Sequence, residues 1–192
     1  MQQKLSFKQA VFIVALMMIA LVLVIKFHGG PIKPVAKVAL AEETISGSPI
    51  HLKIPSINVS AVIESTGITP NGEMGIPKGA TTTAWFNLGP KPGEKGSAVI
   101  DGHFGWKDNL PAVFDNLNKL QKGDKIYVDD DKGITTTFVV QEIRKFEKND
   151  STSNIFNSKD NIAHLNLITC KGIWDAKSKS YSERLVVFSI KE

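Results

Sequence analysis

Cysteine is all but missing: the 192-residue chain has one, Cys170, so no internal disulfide can hold it together. A single thiol is either a small core hydrophobe or a reactive nucleophile. Arginine is nearly as scarce, Arg144 and Arg184 standing against twenty-one lysines, so a planar guanidinium fork is available at only two places. With one cysteine and scattered histidines (His28, His51, His103, His164), no spacing suits zinc. Asp129-Asp130-Asp131-Lys132-Gly133 offers the hard oxygens that calcium prefers. It lacks alternating ligands and reads as a solvated hairpin turn, so no metal or cofactor is expected and calcium is the one ion left open. Acidic residues are absent from residues 1–41, which hold five lysines, leaving 18 basic against 19 acidic side chains beyond. That near-neutral remainder excludes a basic face for nucleic acid.

One apolar run dominates what is present. Ala10 to Ile25 is sixteen consecutive apolar residues. At 1.5 Å per residue this makes about 24 Å of helix, and Phe7 to Phe27 makes roughly 31 Å, the thickness of a bilayer core. Lys8 and Lys26 can snorkel to the two interfaces. Ala39-Leu40-Ala41 has the form of a signal-peptide cleavage site but lies sixteen residues past the run, so an uncleaved signal-anchor fits better. Flanking lysines are almost balanced. The few residues before the run and the domain-sized segment after it favour a cytoplasmic N-terminus and an extracellular domain.

The chain then divides into a cytoplasmic segment 1–9, a transmembrane anchor 10–27, a stalk 28–48 rich in Gly, Pro, Lys and Ala, and a domain 49–192. Those last 144 residues suffice for one well-cored domain. Their pattern is short β-type segments separated by turn residues: His51–Ile54, Val59–Glu64, Ser97–Asp101, Lys125–Asp129, Thr135–Phe146, Leu165–Thr169 and Glu183–Ile190. One short helix is expected over Leu110–Leu117, with Pro111 in its first turn. Seven or eight such strands make a mainly β barrel or sandwich.

Few residues can carry chemistry. His103 follows the apolar Ser97–Asp101 segment directly, and Gly102 before it allows a sharp turn. Strand ends facing a cleft are where a rigid scaffold positions reactive groups. Cys170 has the same placement, at the end of Leu165–Thr169. A thiol near an imidazole becomes the attacking thiolate, and Arg184, opening the last segment, can hold a developing oxyanion. Each residue alone also fits a structural role: a loop histidine, a small hydrophobe, a surface ion pair.

Taken together, Gly102-His103, Leu167-Ile168-Thr169-Cys170 and Arg184, spaced 67 and 14 residues apart behind an N-terminal anchor, resemble the sortases, membrane-anchored cysteine transpeptidases of Gram-positive bacteria. Ile54-Pro55-Ser56-Ile57, Pro92-Gly93-Glu94-Lys95-Gly96, Val113-Phe114-Asp115-Asn116-Leu117 and Gly123-Asp124 extend the match. The short loops look most like the compact class D, E or F enzymes, class F slightly preferred. Two departures stand out: Asn166 where the family pattern has Thr, and Asp101 before the Gly-His pair, which is expected to face solvent.

The resemblance implies an eight-stranded sortase-type barrel with one or two short helices. It implies that Cys170 attacks the Thr–Gly carbonyl of a Leu-Pro-x-Thr-Gly-like sorting signal, His103 serves as acid and base, Arg184 steadies the oxyanion, and Thr169 adds a polar contact beside it. In the 147–163 loop Ile155 and Phe156 would touch the Leu-Pro part, and Trp174 would line the other side. Partners would be secreted proteins bearing that signal and an amine from a peptidoglycan precursor or a pilin lysine. Two other readings compete. An L,D-transpeptidase-like enzyme would need a histidine two residues before the cysteine, where Ile168 stands. A non-catalytic β-barrel binding module would tolerate Cys170→Ser.

Overall fold

Alternating apolar and polar residues build eight strands whose ladder closes on itself. In chain order they are β1 Pro49–Ile54, β2 Val59–Thr66, β3 Thr83–Phe86, β4 Gly96–Gly102, β5 Lys125–Asp130, β6 Thr135–Glu147, β7 Ala163–Asp175 and β8 Ser180–Lys191. The computed structural model describes residues 16–18, 21, 46–106, 110–147, 150–177 and 180–192. The expected anchor and stalk lie outside these except for 16–18 and 21, which are helical, and 46–48. Among the described residues no helix is long and apolar enough to cross a membrane.

The strands form a closed barrel in the order β1-β2-β3-β4-β7-β8-β6-β5, with β5 pairing back to β1. Closure leaves no unpaired edge. β2–β3 and β4–β7 are parallel and the other pairs antiparallel. One face of each long strand fills the interior: Leu52 and Ile54, Ile100, Ile126 and Val128, Phe138 and Val140, Leu165 and Leu167, Leu185 and Val187. Full burial of such a side chain stabilises by about 1.5–3 kcal/mol each. Phe114 and Leu117, fully buried, complete this core from the β4–β5 connection.

Three local expectations change. β3 has no counterpart in the sequence reading, because four residues are too short to display a period. Leu110–Leu117 is not a helix; it runs as turns into a single 3-10 turn at Leu117–Lys119. There the Asp115 carboxylate accepts the amides of Ala112 (2.9 Å) and Gly105 (2.7 Å), and the Phe114 amide donates to the His103 carbonyl (3.0 Å). Those bonds tie the segment across to the histidine loop and replace helical ones. Finally, the acidic turn is not simply solvated. Asp130 is buried and accepts the amides of Gly47 (2.7 Å), Lys132 (3.0 Å) and Ile134 (2.8 Å), while Asp131 accepts that of Ser48 (2.8 Å). Residues 46–48 are thereby clasped to the barrel rather than free. Burial opposes the charge on Asp130, but these amides outweigh it and hold the carboxyl below its ordinary range. Among the described residues no cluster of three His, Cys, Asp or Glu side chains could hold a metal.

Candidate active site

Strand pairing gathers residues far apart in the chain. β7 and β8 are antiparallel, and Cys170 is directly opposite Arg184. β4 runs parallel to β7 with Asp101 opposite Ile168, and His103 follows directly where β4 ends at Gly102, whose carbonyl accepts from Thr169, the neighbour of Cys170. Since Leu165, Leu167, Leu185 and Val187 point into the core, period-two alternation puts Cys170, Ile168, Arg184, Val186, Asp101 and Val99 on the outer face. A nucleophile, a cation, a carboxyl and the end of the histidine strand therefore share one patch of wall.

Each member is held by its surroundings. The ring Nε2 of His103 donates to the Pro77 carbonyl at 2.8 Å, and the ring meets Trp106 edge-on with centroids 4.6 Å apart. Nε2 therefore carries a proton, which in the neutral ring leaves Nδ1 as the proton acceptor. Gly102 is needed for space more than for turning: a Cβ there would run into the Phe114 ring and Val113. Arg184 donates through Nη1 to the carbonyls of Tyr181 (3.1 Å) and Glu183 (3.0 Å), which orients its head along β8. Burial pushes the Cys170 thiol above its usual range, Arg184 opposing and Asp101 adding to the effect.

Asp101 is half-buried rather than turned fully to solvent as expected. Burial pushes its carboxyl up to about 7, against the lowering influence of Arg184 and of the Gly102 amide. An acid preceding a Gly-His pair could have signalled this, but local sequence cannot show which face of β4 is covered.

Thr169 has moved from its expected place. It is fully buried, and its hydroxyl donates to the Gly102 carbonyl at 2.6 Å. An inward side chain committed in that way cannot touch an oxyanion on the outer face; it ties β7 to the residue before His103 instead. Ile155 changes too. The one-turn helix Ser153–Phe156 lies in the 147–163 loop, and its Ile155 is buried with Val99, Phe146 and Val186 in a second apolar cluster on the outer wall. Its contribution is to seat the loop. Asn166, visible in the sequence only as a departure from the family pattern, helps to seat it as well, being buried with its Nδ2 donating to the Ile155 carbonyl at 2.6 Å.

Phe156, by contrast, reaches a groove. It packs edge-on against Phe86 (5.5 Å) and lines a cleft of about 620 Å³ with Ile68, Met74, Leu88 and Pro90. This cleft lies toward the Val99 end of β4, upstream of Cys170 on the same wall. Trp174 is half-exposed on the β7–β8 ribbon and stacks edge-on with Tyr181 (5.1 Å), which meets Phe104 (5.8 Å) in turn. That aromatic chain flanks the site on the histidine side. Arg144, the other arginine, pairs with Glu142 (3.0 Å) and covers the Phe188 ring (4.4 Å), a structural position on the outer sheet.

Comparison with known proteins bears on the family and the fold. The family model for the sortase domain matches residues 52–191. A lid mutant of sortase A from Corynebacterium diphtheriae superposes with a TM-score of 0.59 at 21% identity, covering 77% of this chain and 71% of that one. Sortase C-1 from Actinomyces oris gives 0.55 at 25% identity, covering 74% and 72%. A Clostridium perfringens sortase D5 transpeptidase gives 0.56 at 22%, covering 76% and 79%. No curated protein matches the chain. Solved structures at such identities establish a shared fold, and the family model, spanning most of the chain, establishes descent. The chain belongs to the sortase family of cysteine transpeptidases.

Proposed function

We propose that this protein is a membrane-anchored transpeptidase that cleaves a Leu-Pro-x-Thr-Gly-like sorting signal between Thr and Gly and transfers the acyl group to an amine. The observation that carries the reading is the pairing of Cys170 with Arg184 across β7–β8, with His103 directly after the end of β4, the other strand paired with β7. As a peptide carbonyl arrives, the thiol proton passes to the His103 imidazole and the sulfur bonds to carbon. The former C=O electrons settle on oxygen, opposite the Arg184 guanidinium. Collapse expels the glycine amine, which takes the proton from His103, and leaves a thioester on Cys170. An incoming amine then attacks the thioester carbon and gives its proton to His103, and the thiol is restored. Splitting one amide exchange into two steps lets one imidazole act as acid and then as base.

The cleft between Phe86 and Phe156 suits the apolar Leu-Pro end of the peptide. We assign the cytoplasmic face to residues 1–9, the bilayer to 10–27 and the extracellular side to the catalytic barrel. The acceptor is a peptidoglycan precursor amine for wall attachment or a pilin lysine for polymerisation. Among subclasses the short loops favour class F. The test is incubation of the full chain with labelled five-residue sorting peptides and an added amine, followed by mass spectrometry. Thr–Gly cleavage with amine exchange and a Cys170 acyl adduct is expected. Peptides left intact across the panel, with Cys170 still alkylatable, would refute the reading.

A further inference from the structure

One buried polar residue on the reactive wall is left over by the catalytic steps. Leu165 and Leu167 point into the core, so alternation places Asn166, Ile168 and Cys170 in one row on the outer face of β7. Asn166 is nonetheless buried, and its Nδ2 donates to the Ile155 carbonyl of the one-turn helix Ser153–Phe156 at 2.6 Å. We propose that Asn166 is a positioning residue for substrate selection: by fastening that turn it holds Phe156 against Phe86 and so fixes the wall of the groove that receives the first, apolar residue of the sorting signal. The inference rests on the transpeptidase reading and names the residue that sets its selectivity.

Strand geometry sets the level. Asn166 is opposite Val99 in the β4–β7 ladder, and Phe86 follows Trp85, which is opposite Ile100 in the β3–β4 ladder. Phe86, Val99 and Asn166 thus stand at one height on neighbouring strands. Cys170 is four residues farther along β7, about 13 Å at 3.3 Å per residue. In an extended Leu-Pro-x-Thr segment the leucine precedes the threonine by three residues, about 10 Å. A peptide whose threonine carbonyl meets Cys170 therefore brings its leucine near the height of this turn when it lies along the outer wall toward the start of β7. Between the two, Ile168 belongs to the same apolar cluster as Ile155, Phe86 and Phe156, so the wall is apolar along the way.

The two halves of the Asn166 amide differ in what they contribute. A one-turn helix leaves its last carbonyls without internal partners, and that of Ile155 is answered from β7. The Ile155 side chain, buried with Val99, Phe146 and Val186, supplies the apolar part of the seat. Phe156 then has its backbone held at the preceding residue and its ring edge-on to Phe86, 5.5 Å between centroids. Oδ1, by contrast, is buried with no hydrogen-bond partner among the described residues. An unpaired buried acceptor is destabilising, and an apolar side chain of the same size would avoid it. What such a side chain could not supply is the directional bond to Ile155, so position rather than stability accounts for an amide here.

The test compares wild type, Asn166→Leu, Phe156→Ala and the double variant in the full chain, with two sorting peptides that differ only in leucine or alanine at the first position. Leucine is close to asparagine in size and has neither donor nor acceptor. For the leucine peptide Asn166→Leu is expected to raise KM about tenfold with kcat within about twofold of wild type, and to reduce the preference for leucine over alanine by a similar factor. Phe156→Ala should do the same, and the double variant should be no worse than the more affected single one, because both act through one ring. Hydrogen exchange of the 153–157 amides should quicken in Asn166→Leu while the melting temperature stays close to that of wild type. Should Asn166→Leu fail to fold, Asn166→Val removes the same bond with a side chain suited to a strand, and the same changes are expected. An unchanged leucine-to-alanine preference overturns the proposal, as does a double variant whose losses simply multiply. Unchanged exchange at 153–157 overturns it as well, and this readout needs no peptide, so it decides the role of Asn166 separately from whether wild type cleaves any sorting signal.

Discussion

Thr169→Val separates two roles that the sequence could not tell apart. Valine keeps the branched shape and volume, so the buried site closes without a cavity, while the hydroxyl that donates to the Gly102 carbonyl at 2.6 Å is gone. Losing a buried partner costs about 1–3 kcal/mol, because the remaining acceptor is unsatisfied away from water. For a barrel of this size 1 kcal/mol lowers the melting temperature by roughly 2–4 °C, so a decrease of about 2–12 °C is expected. Gly102 precedes His103, and loss of the tie should also loosen the imidazole relative to Cys170, with kcat falling by about tenfold or more, since small misplacements of a catalytic group are costly. Thr169→Ser keeps the bond and loses only a methyl group, about 1 kcal/mol. Its kcat should remain near that of wild type. The assay is thermal unfolding by circular dichroism beside steady-state peptide cleavage on the same preparations. A hydroxyl acting directly on an oxyanion would instead leave the melting temperature of Thr169→Val unchanged while kcat dropped. A melting temperature within about 1 °C of wild type would show that the buried bond does not hold β7 to the histidine strand.

Cys170→Ala should retain the cooperative melt and abolish peptide cleavage and all thiol labelling, since loss of a covalent nucleophile costs orders of magnitude; residual exchange above about a hundredth of wild type, read by mass spectrometry, contradicts the thioester route. Arg184→Lys should lower turnover by roughly 10² or more with little change in melting temperature, because the charge stays while the planar fork is lost; a lowered melt with normal turnover indicates a structural ion pair instead. Asp101 makes stability pH-dependent with a sign opposite to that of most carboxylates. Its folded-state value near 7 lies above the ordinary one, so between about pH 4 and 7 the folded protein binds the extra proton and stability falls as pH rises. Melting curves from pH 5 to 7.5 should show that decline in wild type and a flatter profile in Asp101→Asn. Removal of residues 1–41 should leave a cooperative melt, whereas removal of 1–48 strips the Gly47 and Ser48 amides from Asp130 and Asp131 and should lower it by several degrees; equal melts for the two truncations contradict the clasp.

Period-two alternation and turn residues made the β-class visible before any coordinates, because burial on one face of a pleated strand leaves its mark every second residue. Seven of the eight strands were legible in this way. The exception, Thr83–Phe86, is too short to carry a period and is placed by parallel pairing with β2. The expected helix at Leu110–Leu117 was displaced by Asp115, whose two amide bonds and the Phe114–His103 bond are tertiary choices. Scarcity made Cys170, His103 and Arg184 stand out by type and position. Their convergence depends on the β4–β7 and β7–β8 registers, which no local pattern encodes. Facing and burial decided the rest. Thr169 and Cys170 are neighbours in sequence but lie on opposite sides of the wall, Ile155 is seat rather than groove, and Asp101 is half-buried rather than fully solvated. Sequence alone determined which side chains had chemistry to offer. Only the closed barrel determined which of them share a face, because a strand's two faces become inside and outside once the last strand meets the first.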